Sequence, residues 1–429
     1  MIFAINNVRA LQIFQILRQG AAILISILLA KSWLSTEAIG IFEMLTFIGT
    51  TVSFFWITGL NQGMLPFFPK RTSLEKKQFI SNVFVLFCAI SGFVVTLLFF
   101  FEKTVTQWLV GQDALPYFGW YAVYLLFYMP SFLVDYIYLL KNQPKKIISF
   151  GCVVFSLQIF VVVVPIFLGW GLKWSIIGLV GLGVTRFIWL LFVIVHYSSF
   201  SWNGSLMLSY GKLSFPLILY ALLSGFPTLF DSWVVGWFYD DKATFAIFRY
   251  GARELPLAIA LANALSTAMI PEVVKKGDAA MRQLKSKVLQ LYHILFPISI
   301  VLVLTSWWWF PKVFNSDFAE SAAVFNVFLL VIISRLVFPQ TILIASGKTK
   351  IILYISILET ILNVVLSIWL VQSYGLVGIA FGTVIAYFFE KIAIAVYLYF
   401  RFQISFAQYT PVGWFLGYSF LLVGAYYFS

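Results

Sequence analysis

The chain has 429 residues, of which 62% are hydrophobic, 19% aromatic and only 10% charged, whereas a soluble domain carries roughly a quarter charged residues. That balance excludes an ordinary water-solvated globule and makes lipid the main solvent. The net charge of +12 does not point to nucleic acid, because the lysines and arginines fall mostly in short gaps between apolar runs, where membrane topology explains them.

Twelve apolar stretches follow one another, most of them longer than the ~20 residues that cross a bilayer. The first, residues 10–31, carries Arg18 inside it, and Lys31-Ser32-Trp33 beyond it offers no small-x-small cleavage site. It reads as an uncleaved span rather than a signal peptide. Residues 38–60 hold Glu43, 80–101 hold no charge, 115–140 hold Asp135, 147–168 are uncharged, and 174–196 hold Arg186. In the second half, 213–238 contain Pro227 and Asp231, 243–270 contain Arg249, Arg253 and Glu254, and 288–310 form the ninth stretch. Residues 321–345 carry Arg335, 350–371 carry Glu359, and 376–400 carry the neighbours Glu390 and Lys391. A last apolar segment, Pro411 to Phe428, is only just long enough. It is a candidate thirteenth span, re-entrant piece or interfacial helix.

The second six stretches repeat landmarks of the first six. Phe42-Glu43-Met44 matches Phe248-Arg249-Tyr250, and Met64-Leu65-Pro66 matches Met269-Ile270-Pro271, at offsets of 206 and 205. Gly171-Leu172 pairs with Gly375-Leu376 and Lys146 with Lys350, both at 204. The expected fold is an all-α polytopic membrane protein with two pseudo-symmetric six-helix lobes, residues 1–200 and 201–402, and an extra hydrophobic segment over 403–429. Six is even, so both lobes start on the same side and the repeat is parallel.

Basic residues set the expected orientation. Seventeen lie in connections on the side of the N-terminus, including Lys70, Arg71, Lys76, Lys77, Lys141, Lys145 and Lys146, against five on the other side. This predicts a cytoplasmic N-terminus. The two longest basic connections, Leu74 to Phe79 and Val273 to Leu289, are candidates for surface amphipathic helices.

No catalytic constellation and no P-loop is visible, so neither an enzyme nor an ATP-driven pump is expected. Cys88 and Cys152 lie inside apolar stretches without metal-site spacing, and His196 and His293 are far apart. No cofactor and no metal centre is expected. Function is sought among the charges left inside the spans, each of which must face a wet cavity or an opposite charge. Arg249 and Arg253 are four apart, a spacing that places both on one face of a continuous helix. With Arg18 they would offer three planar forks of donors to a phosphate or pyrophosphate; the competing reading is that they pair with Glu43, Asp231 or Glu254. Glu43 and Arg249 are repeat equivalents of opposite sign, suited to a gate or to structural glue. Pro227 can open the backbone near Asp231, so Asp231 is a candidate for Na+ or a proton, or for an arginine partner. Asp135 and Glu359 are further ion-coupling candidates, and Arg186, Arg335 and Lys391 candidate cavity charges.

The chain resembles the polysaccharide flippases of the multidrug/oligosaccharidyl-lipid/polysaccharide (MOP) exporter superfamily. The residues that carry the likeness are Ile39-Gly40-Ile41-Phe42, Gly59-Leu60-Asn61-Gln62-Gly63 with Pro66, Phe215-Pro216, Asp231, Gly236, Tyr250, Pro271 and Gly375-Leu376-Val377-Gly378. The resemblance implies two lobes that open alternately to each side, as in multidrug exporters of the superfamily. It implies an undecaprenyl-diphosphate-linked oligosaccharide carried from the cytoplasmic to the periplasmic leaflet of a bacterial inner membrane, with Arg18, Arg249 and Arg253 on the diphosphate. Partners then follow: the lipid-linked oligosaccharide, membrane lipids, H+ or Na+ as coupling ion and polysaccharide polymerase machinery, with a monomer as the working unit. A cation-coupled multidrug antiporter and a lipid II flippase stand as alternatives; related lipid II flippases look to carry two extra C-terminal spans, which places lipid II below a surface-polysaccharide precursor.

Overall fold

The computed structural model describes residues 7–429, and among these every regular element is helical. The elements in chain order are α1 (Asn7–Ala30), α2 (Thr36–Phe67), α3 (Ser73–Phe100), α4 (Glu102–Val110), α5 (Phe118–Tyr128), α6 (Leu133–Leu140), α7 (Pro144–Phe167) and α8 (Leu172–Tyr197). They continue with α9 (Gly204–Phe238), α10 (Lys242–Gly251), α11 (Pro256–Lys276), α12 (Asp278–Val313), α13 (Ser321–Arg335), α14 (Pro339–Ala345), α15 (Thr349–Phe402), α16 (Phe406–Tyr409) and α17 (Val412–Tyr427). Ten helical spans among the described residues are long and apolar enough to cross a membrane, or eleven if the bent pair α13 and α14 counts as one. Large apolar side chains such as Phe93, Phe100, Phe192, Val195 and Trp369 point outward from these helices, as a lipid-facing surface requires.

Three differences from the sequence expectation stand out, of which the last two lower the count to ten. The stretch expected over 243–270 is interrupted after Gly251, and only α11 remains long enough by itself. Leu255 is extended (φ −64°, ψ 110°), as the residue before a proline prefers to be. The stretch expected over 321–345 bends by 43° between α13 and α14. The last two stretches form one 54-residue run, α15, broken at Gly375, whose φ of 59° and ψ of −141° are non-helical. An unbroken helix of that length would reach roughly 80 Å, far beyond the ~30 Å hydrocarbon layer. Residues 349–374 and 376–402 instead fold back on each other, so that a Cβ on Gly382 would meet the Ser367 backbone nitrogen at 2.8 Å.

The expected surface helices do not form as separate elements. Leu74 to Phe79 begin α3 directly, under a capping box in which Thr72 and Glu75 exchange hydrogen bonds. Residues 273–289 divide between the end of α11 and the start of α12, with Gly277 (φ 50°) between them.

Contacts group the chain into two compact units: residues up to Gly225 with Gly236–Ala246, and Phe226–Val235 with Ile247–Ser429. In the first unit α1 packs on α7, and α8 packs on both α5 and α7. Small residues permit the approach: a Cβ on Gly151 would come within 2.8 Å of the Phe14 ring, and one on Gly178 within 2.7 Å of the Val161 carbonyl oxygen. In the second unit α17 lies against α12 and α13. His293 Nδ1 and the Tyr418 hydroxyl are 2.8 Å apart, and Phe296 stacks on Tyr418. At 16 residues α17 is shorter than a full span.

Candidate functional site

The second unit buries two adjoining polar groups. The first forms around Asp231, which is 3% exposed on the stretch of α9 that belongs to this unit. The Thr383 hydroxyl donates to its Oδ2 at 2.5 Å and the Ser367 hydroxyl to its Oδ1 at 3.4 Å. Asn363 Nδ2 donates to Thr383 Oγ1 at 2.9 Å, and Asn363 Oδ1 is buried without a hydrogen-bond partner. Asn363 and Ser367 stand one helical turn apart on residues 349–374, and Thr383 comes from the antiparallel run after Gly375. The fold-back at Gly375 therefore assembles the group. One carboxylate, one orphan amide oxygen and two hydroxyls make an oxygen-only donor set with a single negative charge. Such a set matches a small hard monovalent cation such as Na+. Sequence reasoning singled out Asp231 and missed its three partners. Their signal was the i, i+4 pair of Asn363 and Ser367 in an otherwise apolar run.

The second group lines a cavity of about 210 Å³ among α11, α13, α14 and the latter half of α15. Arg335 pairs with Glu254 and lies 5.5 Å from the Tyr387 ring centroid. Lys391 donates to Glu390 at 2.8 Å and to Gln340 at 2.9 Å, while Gln340 donates to Glu390. The bend before Pro339 supplies Gln340 and Thr341, and Thr341 shares a 2.7 Å hydrogen bond with Ser266. Arg335 and Lys391 thus both line a cavity, each with an acid at its side. Glu359 is 5% exposed, its Oε1 has no hydrogen-bond partner, and the charges of Glu390, Lys391 and Asp231 all act on it.

The arginines proposed for a diphosphate divide between the units. Arg18 is exposed on α1 in the first unit. Arg249 lies on α10, but Arg253 falls in the non-helical break after Gly251. The two do not share a helix face, contrary to the spacing argument, because Pro256 forces the chain out of the helix beforehand. They remain neighbours: Arg253 Nε donates to the Arg249 carbonyl at 3.4 Å, and its guanidinium lies 5.1 Å from the Tyr250 ring.

In the first unit Glu43 is buried on α2. Arg186, 2% exposed, receives its place from aromatics: it donates to Ser131 at 3.0 Å and lies 4.6 Å from the Tyr128 ring, with Phe132 and Phe150 next. Asp135, 4% exposed on α6, feels the charge of Arg186 and then of Arg18. Asp135 and Arg186 are buried charges of the first unit without an ion pair between them among the described residues.

Comparisons with known proteins agree with this architecture. Lipid II flippase MurJ in an inward closed conformation matches with a TM-score of 0.72 and 19% identity, covering 96% of this chain and 91% of that one. A multidrug resistance transporter of the MOP superfamily in an inward-facing conformation matches with a TM-score of 0.60 and 14% identity, covering 95% of each chain. A MOP superfamily transporter from Pyrococcus furiosus, described by a reversed polarity of its binding pocket, matches at 0.58 and 14% identity over 98% of this chain and 97% of that one. At these identities the likeness is one of fold. No curated protein sequence matches the chain. The family model for polysaccharide biosynthesis proteins matches residues 28–323, well over half of the sequence. The chain therefore belongs to the polysaccharide biosynthesis protein family and has the fold of the MOP-superfamily transporters.

Proposed function

We propose that this protein is a flippase for a polyprenyl-diphosphate-linked glycan, working by alternating access in a bacterial inner membrane. The observation that carries the reading is the joint occurrence of a polysaccharide biosynthesis family match with a transporter fold. Joining α10 with α11 and α13 with α14, and dividing α15 at Gly375, counts twelve spans in two lobes, residues 1–200 and 201–402, with 403–429 outside them. Arg18, Arg249 and Arg253 would hold the diphosphate, since guanidinium groups keep their charge and pair with oxyanions in bidentate fashion. Glu43 would serve as a gate. The oxygen cluster at Asp231 supports Na+ as the coupling ion, with Glu359 and Asp135 as further charge-coupled groups and Arg186, Arg335 and Lys391 as cavity charges.

The glycan is an oligosaccharide repeat unit in the reading that the family match favours. A second reading, lipid II as cargo, is favoured by the TM-score of 0.72 to a lipid II flippase against 0.60 for a multidrug transporter, and this likeness speaks against ranking lipid II lower. A cationic drug is a poorer cargo for three arginines.

The test is translocation in proteoliposomes of three labelled cargoes: a polyprenyl-diphosphate oligosaccharide, lipid II and a dye cation. Wild type is compared with Arg18→Ala, Arg249→Ala and Arg253→Ala at matched amounts of folded protein. Flipping of a diphosphate lipid by wild type, with at least tenfold loss in each variant, is expected. Dye efflux without lipid flipping would replace the proposal by the antiporter.

A further inference from the structure

The first unit gathers positive charge at one place that the flippase reading does not use. Five span ends meet there: the end of α2, the start of α3, the end of α6, the start of α7 and the end of α8. The meeting is direct, since Ser199 N donates to the Lys77 carbonyl at 3.2 Å and Ser81 Oγ to the Ser199 carbonyl at 2.7 Å. The connections contribute Lys70, Arg71, Lys76, Lys77, Lys141, Lys145 and Lys146, against one acid, Glu75. Glu75 is committed to the Thr72 cap, accepting from Thr72 N at 2.9 Å and Oγ1 at 3.0 Å.

The lysines converge on two aromatic rings. Lys76 Nζ and Lys141 Nζ lie 5.5 and 5.3 Å from the centroid of Phe68. Lys141 and Lys146 lie 5.4 and 5.7 Å from the centroid of Tyr197, whose hydroxyl accepts from Lys146 at 3.1 Å and donates to Gln143 at 2.7 Å. Beside them Arg71 lies over Phe67 at 4.1 Å, with its Nε buried and without a partner. Among the described residues none of Lys76, Lys77, Lys141, Lys145 and Lys146 has a carboxylate within ion-pair distance.

Like charges held together without a counter-ion repel, and cation–π contacts offset only part of that cost. Burial, and then the charges of Lys76 and Lys77 against a favourable Tyr197, hold Lys141 below the ordinary lysine range. An anion seated among these groups would remove the repulsion. We propose that Lys76, Lys77, Lys141 and Lys146, floored by Phe68 and Tyr197, form a binding site for the headgroup of an anionic membrane phospholipid. The location selects a lipid over a soluble anion: the rings and ammonium groups lie where spans Thr36–Lys70, Phe118–Leu140 and Leu172–Tyr197 end and Ser73–Phe100 and Pro144–Phe167 begin, which is headgroup depth.

Chain-labelled phosphatidylglycerol, titrated onto the full-length protein in neutral detergent, tests the proposal. Wild type should bind it in preference to labelled phosphatidylcholine. The triple variant K76Q/K141Q/K146Q should bind it about a hundredfold more weakly. The variant K76R/K141R/K146R should keep the affinity, which separates lost charge from lost folding. K31Q/K103Q/K173Q, with the same charge removed from other connections, should also keep it. Equal loss in this control would mean that diffuse net charge, not a site, holds the lipid. Displacement by inorganic phosphate as readily as by unlabelled lipid would make the site one for a soluble anion. Equal affinity of wild type for the two lipids, or full binding by K76Q/K141Q/K146Q, would likewise overturn the proposal.

Discussion

Asp231 shows how much a single side chain depends on partners that its own neighbourhood in sequence does not announce. With Thr383, Ser367 and Asn363 around it, one Asn363 oxygen stays orphaned, and a buried carbonyl oxygen without a partner costs free energy unless an ion or water meets it. Sodium should therefore raise the thermal unfolding midpoint of the wild type. The gain expected at a hundredfold excess over the dissociation constant is about 2.7 kcal/mol. Asp231→Asn, which removes the negative charge and keeps one oxygen to accept from Thr383 or Ser367, should abolish the sodium effect. A sodium-dependent shift that survives in the variant would remove Asp231 from the ion site. Arg335 and Glu254 call for a different experiment, because their side chains are 26% and 21% exposed. Arg335→Ala leaves a partly desolvated carboxylate without its cation and should cost about 2–3 kcal/mol, somewhat under the range for a fully buried pair. The double variant Arg335→Met with Glu254→Gln should recover most of it, as read from unfolding midpoints.

At the scale of elements, breaks matter more than helices. Gly375 divides α15 with a backbone conformation (φ 59°, ψ −141°) that a side chain strains by about 1–3 kcal/mol. Gly375→Ala is expected to destabilise the second unit by that amount and to loosen the Asp231 cluster, visible as weaker sodium stabilisation. Gly92→Ala, where nothing lies within 4 Å of the added Cβ, is the control and should be near neutral. The entry to α10 depends on Asp241, which accepts from Ala243 N at 3.0 Å, Thr244 N at 3.1 Å and Thr244 Oγ1 at 2.9 Å. Burial works against the charged form, but these hydrogen bonds and Lys242 outweigh it and hold the carboxyl below the ordinary aspartate range. A depressed folded-state value stabilises above the unfolded value and is lost as pH falls through the folded one. Hydrogen-exchange protection of α10 should therefore exceed that of Asp241→Asn at neutral pH, and the difference should vanish at pH below the usual range of aspartate. A difference that persists in acid would assign the cap to the neutral side chain.

For the whole molecule the decisive prediction concerns orientation. The basic connections predict a cytoplasmic N-terminus, so a cysteine replacing Lys145 in a chain with Cys88 and Cys152 removed should react with an impermeant maleimide only from that side. One replacing Lys103 should react only from the other. The reverse pattern would invert the direction assigned to transport.

Much of this was legible beforehand, and the reason is that lipid imposes simple rules on a chain. Apolar length marks each span, because backbone polar groups in hydrocarbon must be satisfied internally, and seven of the twelve expected stretches appear as single helices at nearly the expected places. The charges inside the spans were equally visible, because they are rare there. What the sequence by itself determined was thus membrane residence, helical class and the roster of interior charges. The tertiary structure alone decided which charges meet. It placed Arg253 in a break rather than on a helix face, brought Thr383 to Asp231 through the turn at Gly375, and collected Lys76, Lys141 and Lys146 on two rings. Those outcomes depend on kinks at proline and glycine and on contacts between residues far apart in sequence. A count of apolar residues is local, whereas the pairing of charges depends on how the helices pack.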